Sequence, residues 1–451
     1  MSLSLARMRV RAGRLRRAIL ASHPAKLLLF CYLIYILFGW VLLALPVLQE
    51  VPVRAIDTLF IATSAVSTTG LVTVDPGTSF TFAGELVILA LIQLGGLGYM
   101  TLGSFAVVSL QHRMSTLREK TAKAAFSLPD HLEPLVFVRS VVIFTLIVEA
   151  IGAAVLFAIF LSEGVDRPLW SAIFHAVSAF CTAGFSLFST SLEAFRDDTA
   201  FNLTIAALSL LGATGFLIVV DAWRMLMGRA RHLGLYSKLI VRVTFWFTVA
   251  GTVFLYVAEP TLSAFPPAER LMAAFFQTMT ATTTVGFNTH PIGALSQAVL
   301  LVLIFLMVFG ASPAGTGGGL KTTTFAALVG LVKSRLKGRD AVRLSKRRIP
   351  QDKLELATAS LAYYFGVLLI ALVLLSLTEA GTALDLLLFE AISAMGTVGL
   401  SMGITGDLTD LGKLVVIVLM TAGRVGILTF GIALAAHDES RAEEEDNELV
   451  L

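Results

Sequence analysis

The sequence predicts an all-α polytopic membrane protein built from four pseudo-symmetric repeats, and three observations lead there. The chain is 56% apolar and only 14% charged, whereas soluble domains run about 45–50% and about 25%. Eight long apolar segments follow one another, near 27–48, 84–110, 136–161, 201–226, 237–258, 295–333, 355–378 and 411–436. A bilayer crossing needs about 20 such residues. Finally, Gly70, Gly184, Gly286 and Gly399 recur roughly 100–115 residues apart in short polar loops, a spacing too long for a solenoid repeat.

Each element has its own reason. The amino terminus, 1–26, is basic (Arg7, Arg9, Arg11, Arg14, Arg16, Arg17). The run from Leu27 to Leu48 is too long for the apolar core of a signal peptide and lacks a small-residue cleavage site, so it reads as a retained helix. Repeats occupy 27–110, 136–226, 227–333 and 355–436. Cytoplasmic loops fill 111–135 and 334–354, the second strongly basic, and an acidic tail covers 437–451. Within each repeat a shorter amphipathic stretch lies between two apolar segments: Arg54–Val66, Leu169–Phe180, Ala268–Ala281 and Leu384–Met395. These are too short to span. Each leads into a loop: STTGL, CTAGFS, TTTVGFN or MGTVGLS.

Charge sets the orientation. Basic residues gather between repeats (Arg113, Arg118, Lys120, Lys123; Arg224, Arg229, Arg231, Lys238; Lys333 through Lys353), while the opposite ends mix Arg54, Arg167, Arg196, Arg270 and Lys413 with more acids. The positive-inside rule then puts both termini in the cytoplasm of a multi-pass protein of the plasma (inner) membrane, with the loops opening outward. The basic segments act as topology signals and require no nucleic acid. Cys31 and Cys181 have no CxxC or CxH spacing, so no disulfide framework or zinc site is expected.

Non-helical backbone survives in a membrane only when buried in protein or lining a wet cavity. Four re-entrant loops meet that condition if they converge on one axis and turn their carbonyls inward, glycine supplying the dihedrals. A ring of carbonyls replaces the hydration shell of a cation, and the carboxyl-terminal ends of the half-helices add negative potential. The candidate residues are Thr68, Thr69, Gly70 and Leu71; Thr182, Ala183, Gly184 and Phe185; Thr284, Val285, Gly286 and Phe287; and Thr397, Val398, Gly399 and Leu400.

Thr284-Val285-Gly286-Phe287-Asn288 resembles the Thr-Val-Gly-Tyr-Gly filter of potassium channels, and Thr397-Val398-Gly399-Leu400 keeps its core. Four degenerate copies in one chain resemble the Trk, Ktr and plant HKT potassium transporter superfamily, over nearly the whole length. The resemblance implies a channel-like fold around one central pore and potassium uptake through a selectivity filter, with K+ as the transported ion. Sodium-preferring members often carry serine at the first filter glycine; Gly70 favours potassium, with imperfect discrimination against sodium.

A second anomaly is FGASPAGTGGGLKTTTF, Phe309 to Phe325. Its Pro and Gly residues should break the helix. Leu320 stands where a Walker motif needs glycine before Lys321, and a membrane helix rather than a strand precedes the stretch, so a nucleotide site is only weakly indicated. The stretch Gly310, Ala311, Ser312, Pro313, Ala314, Gly315, Thr316, Gly317, Gly318 and Gly319 reads instead as a flexible plug beneath the loops. The resemblance implies a gating loop here. Arg424, in TAGRVG, would cost about 2.5–3.5 kcal/mol at the bilayer centre if uncompensated. It is expected to face the pore or the plug's carbonyls, or to pair with Glu149 or Glu390; Lys321 is the other intramembrane cation.

The absence of extra leading helices matches Ktr-type membrane subunits better than Trk-type ones. The resemblance therefore implies a homodimer on a cytosolic RCK/KTN-type (KtrA-like) regulatory ring that binds ATP or ADP, this chain itself holding no cofactor. Ser334–Lys353 and Ser115–Asp130 are the expected docking surfaces. Two rival readings fit the sequence less well. A sodium- or proton-coupled symporter is disfavoured by parallel repeats and the lack of an acid in any loop. An enzyme is disfavoured because His175 and His290 stand alone, without metal-ligand spacing or a nucleophile motif.

Overall fold

The structure, a computed structural model, describes residues 24–111, 134–228, 232–310, 312–313, 315–339, 341–344 and 347–435. The basic amino terminus, the expected docking segment Ser115–Asp130, Arg229, Arg231 and the acidic tail lie outside the described residues.

Helices dominate, in the order the hydropathy implies. They are α1 (Pro24–Leu43), α2 (Ala55–Ser67), α3 (Phe82–Gln111), α4 (Pro134–Ser162), α5 (Pro168–Phe180), α6 (Thr199–Thr214) and α7 (Phe216–Leu226). There follow α8 (Leu235–Ala258), α9 (Pro267–Thr283), α10 (Gln297–Phe309), α11 (Thr322–Arg335), α12 (Gln351–Thr378), α13 (Leu384–Gly396), α14 (Asp410–Val425) and α15 (Ile427–Ala435). The half-helices α2, α5, α9 and α13 lie within two residues of the expected stretches. A two-residue antiparallel hairpin, Arg343–Leu344 with Arg347–Arg348, sits in the basic loop.

Three of the eight apolar segments are broken helices, one of them expected and two not. Among the described residues, three helices are long and apolar enough to cross a membrane, or up to five if each bent pair counts as one. The second helix of repeat 4 turns by 105° between α14 and α15, at Gly426 with φ 94°. That of repeat 2 breaks at Gly215, φ 88°, between α6 and α7. The third is interrupted between α10 and α11, where the Gly-rich stretch was expected to break it. Hydropathy sees only the apolar run, and a lone glycine carries too weak a signal to forecast a bend.

Packing follows the repeat. Each first helix lies on its own half-helix: α1 on α2, α4 on α5, α8 on α9 and α12 on α13. Each second helix then packs on the half-helix of the next repeat: α3 on α5, α6 on α9, α10 on α13 and α14 on α2. The order closes on itself. Burial is inverted relative to a soluble domain. Leu33, Leu37, Phe38, Leu146, Ile147, Leu369 and Ile370 are exposed, while Thr63, Ser64, Ser178, Thr280 and Ser393 are buried. Lipid replaces water around the apolar exterior, and the polar groups stay inside.

Ion pairs join the repeats at three of their junctions. Lys413 on α14 holds Asp57 on α2 at 2.7 Å, with side chains only 4% and 7% exposed. Arg167 Nη2 meets Glu85 at 3.0 Å, and Arg196 meets Glu269 at 2.8 Å. Lys413, grouped from sequence with the basic residues at the ends opposite the cytoplasmic loops, is a buried ion-pair partner. Two acids also cap helices in matching places. Glu259, at the end of α8, accepts from Ser296 N and Oγ at 2.9 Å each at the start of α10. Glu379, at the end of α12, accepts from Thr409 N at 3.1 Å at the start of α14. Burial would raise the Glu259 carboxyl, but hydrogen bonds from Ser296 and Thr261 outweigh it and hold it below its ordinary value. A carboxylate on free helix N–H groups is favourable electrostatically.

Lys413→Met leaves Asp57 buried without its cation and should cost about 3–5 kcal/mol. Thermal unfolding in detergent would show this as a lowered Tm. The exposed Arg54–Asp410 pair, 61% and 60% accessible, should contribute about 0–1 kcal/mol, so Arg54→Ala should leave Tm nearly unchanged.

Candidate functional site

The four half-helices end alike. Thr68, Thr182, Thr284 and Thr397 all adopt the left-handed region, with φ of 50°, 50°, 59° and 48°. The next N–H then turns back to the carbonyl five residues earlier. Thr69 N donates to Ser64 O at 2.9 Å, Ala183 N to Ser178 O at 2.8 Å, Val285 N to Thr280 O at 3.1 Å and Val398 N to Ser393 O at 2.8 Å. Gly70, Gly184, Gly286 and Gly399 follow with φ of 94°, 66°, 87° and 95°. Non-glycine residues rarely hold such angles, and four in register mark one shared local fold.

Those turns spend the N–H groups on the half-helices and leave carbonyls to face elsewhere. A Cβ built on Gly70 would strike Ala183 O; on Gly184, Val285 O; on Gly286, Val398 O; and on Gly399, Thr69 O. The four loops therefore touch in cyclic order, each glycine against the carbonyl before the glycine of the next. All four glycines line one cavity of about 380 Å³, which also takes in Asp75, Glu193, Asn288 and Ser401. Burial pushes the Glu193 carboxyl up, against the opposing pull of Asn288 and Arg196.

Three hydroxyls at the loop starts, those of Thr68, Thr284 and Thr397, are buried without a hydrogen-bond partner. An unpaired buried hydroxyl costs about 1–3 kcal/mol, so these are groups that a bound species can satisfy. The fourth, Thr182 Oγ1, lies 3.0 Å from Thr316 Oγ1 of the Gly-rich stretch.

A second set of hydroxyls went unnoticed in the sequence: Ser64, Ser178, Thr280 and Ser393. Ser64 Oγ accepts from Gly70 N at 3.1 Å and Ser393 Oγ from Gly399 N at 3.1 Å. Ser178 Oγ donates to Phe185 O at 2.8 Å. The signal was present as a hydroxyl residue six positions before every loop glycine.

The Gly-rich stretch runs directly against these loops. Its residues Ala311 and Ala314 lie outside the described residues. Thr316 N donates to Gly212 O at 3.1 Å and its hydroxyl to Phe180 O at 3.2 Å. A Cβ on Gly318 would strike Thr397 Oγ1. Arg424, 2% exposed, donates through Nη1 to Thr316 O and through Nη2 to Gly95 O at 2.6 Å. Of the two expected acid partners, Glu149 accepts from Gln93 at 3.1 Å and Glu390 from Ser401 at 2.8 Å. Lys321 Nζ donates to Gly317 O at 2.8 Å. His175, which stands alone in the sequence, is fully buried and lies 3.0 Å from Ser186 Oγ.

Comparison with known proteins agrees in kind with this geometry. The TrkH family model, described as a cation transport protein, matches residues 40–445. The chain is 35% identical over 415 residues to the Ktr system potassium uptake protein B of Vibrio alginolyticus, covering 91% of each. It is 33% identical over 431 residues to the Bacillus subtilis protein of that name, covering 94% of this chain and 96% of the relative. To the potassium/sodium uptake protein NtpJ of Enterococcus hirae it is 34% identical over 422 residues, covering 91% and 92%. The crystal structure of the potassium transporter TrkH from Vibrio parahaemolyticus shares the fold, with a TM-score of 0.69 over 90% of this chain and 84% of that one at 23% identity. Family model, relatives and fold coincide over nearly the same residues, and the chain belongs to the TrkH family of cation transport proteins.

Proposed function

We propose that this chain takes up potassium across the cell membrane through a pore on the axis of its four repeats. Residues 68–71, 182–185, 284–287 and 397–400 form the selectivity filter. The observation that carries this reading is the closed cycle of glycine against carbonyl. It sets the oxygens of Thr69, Ala183, Val285 and Val398 each against the glycine of a neighbouring repeat, and a ring of such carbonyls is what a dehydrated monovalent cation requires. The unpaired hydroxyls of Thr68, Thr284 and Thr397 offer a further layer of ligands. The names of the relatives favour potassium, and one of them includes sodium.

The outer cavity is the entrance, where Asp75 and Glu193 raise the local cation concentration. The stretch 310–319 is the gate, held beneath the filter by Arg424, and Lys321 adds a second positive charge. Both termini face the cytoplasm. There, Lys333, Lys337, Arg339 and Arg343 line a pocket of about 280 Å³, a docking surface for a nucleotide-binding regulatory ring. The working assembly is a homodimer on that ring.

Three outcomes test the reading, each as ion flux into liposomes holding the purified chain. Gly286→Ser should lower the potassium-to-sodium ratio on the order of ten-fold, equivalent to about 1.4 kcal/mol of differential binding; an unchanged ratio would remove these carbonyls from the filter. Flux that stops without a sodium or proton gradient would favour a coupled symporter instead.

Arg424→Gln removes charge-assisted hydrogen bonds of about 1.5–3 kcal/mol each. Basal potassium flux without the regulatory ring should rise on the order of ten-fold or more. A flux that stays the same or falls would show that Arg424 does not hold a gate shut.

The Glu193 carboxyl, raised by burial, is charged at high pH and loses its charge as pH falls, earlier than an ordinary carboxyl does. External acidification should therefore weaken uptake at low potassium, and Glu193→Gln should flatten that pH profile. A wild-type profile already flat would exclude Glu193 from the entrance field.

A further inference from the structure

Nine residues before each loop glycine stand Ile61, His175, Gln277 and Glu390, one on each half-helix. Their exposures are 0%, 0%, 0% and 1%. In three quadrants this side chain reaches the segment leaving the loop. Glu390 accepts from Ser401 Oγ at 2.8 Å through one oxygen and from Thr405 Oγ1 through the other. Gln277 Nε2 donates to His290 O at 3.1 Å. His175 Nδ1 lies 2.7 Å from Ser171 O, which can only accept. The hydrogen is therefore on Nδ1, and in the neutral ring Nε2 accepts from Ser186 Oγ at 3.0 Å.

Ser186 and Ser401 each follow their glycine by two residues. Repeats 2 and 4 thus join the same two positions with unlike chemistry, an imidazole in one and a carboxyl in the other. Repeat 3 reaches two residues further with an amide. In repeat 1 the corresponding residues are Ile61 and Val72, which form no side-chain hydrogen bond and belong to one apolar cluster. Three different polar groups recurring at one register, each tied to the outgoing strand, are not explained by filling space.

We propose that this position is a strut. His175, Gln277 and Glu390 fix the outer half of the loop in their quadrants, while the first quadrant rests on apolar packing and is the compliant one. They are positioning residues acting through the strand they hold. The proposal rests on the reading that these loops select the cation.

The test compares potassium and sodium flux into liposomes for wild type, Glu390→Leu, Glu390→Gln, the loop-side pair Ser401→Ala with Thr405→Val, and Ile61→Ala, with Tm for each. Glu390→Leu and the loop-side pair should lower the potassium-to-sodium ratio by about ten-fold, the scale of one or two lost hydrogen bonds to a carboxyl. Glu390→Gln, which keeps an acceptor, should stay within about two-fold of wild type. Ile61→Ala should lower Tm and leave the ratio alone. Should Glu390→Leu fail to fold, the loop-side pair removes the same bonds without touching the half-helix. An unchanged ratio in that pair, or an equal loss in Ile61→Ala, overturns the strut. A wild type without selectivity overturns the filter reading, and the strut with it.

Discussion

Everything in this molecule depends on where the backbone hydrogen bonds of four short loops go. Inside a membrane an unpaired N–H or C=O is costly, and a chain that leaves a helix there must find partners at once. Each loop does so by sending the N–H after its left-handed threonine back into the half-helix. That choice satisfies the donors locally and leaves the acceptors unspent. The half-helix, its threonine and its glycine are therefore one device with one purpose, repeated four times.

The rest of the fold holds these devices together. Second helices lie on the half-helices of the following repeats, and ion pairs tie three of the junctions. Polar side chains can be buried at such density because the loop-side turns of each half-helix are enclosed by other helices. The Gly-rich stretch fits against the starts of the loops because glycines bring its backbone close to Ala213 O and Thr397. A guanidinium is buried there because two carbonyls, Thr316 O and Gly95 O, receive it.

Much of this was legible beforehand. Apolar runs locate helices because lipid imposes one chemistry over about 20 residues, and recurrent glycines locate loops because few residues tolerate those angles. What stayed hidden was mostly non-local. Asp57 and Lys413 are 356 positions apart, and nothing near either residue announces the other. The bend at Gly426 needs tertiary contacts to fix it, since one glycine weakens a helix by only about 1 kcal/mol. The hydroxyls at Ser64, Ser178, Thr280 and Ser393 were visible only once the four copies were set in register. The partner of His175 stayed hidden because a lone histidine has no sequence signature for the serine it binds.

The cycle of glycines has a handedness. Gly70 abuts a carbonyl of repeat 2, and not the reverse, and the same sense runs through repeats 3 and 4 back to 1. A side chain acquired at any one of them strains its own loop, whose φ suits glycine, and also pushes on its successor. Damage thus spreads one way round the cycle, into the next quadrant. A lineage that exchanges a glycine in one repeat would find its compensating changes in the next, so the four copies, although free to drift apart in sequence, remain bound to evolve as ordered neighbours.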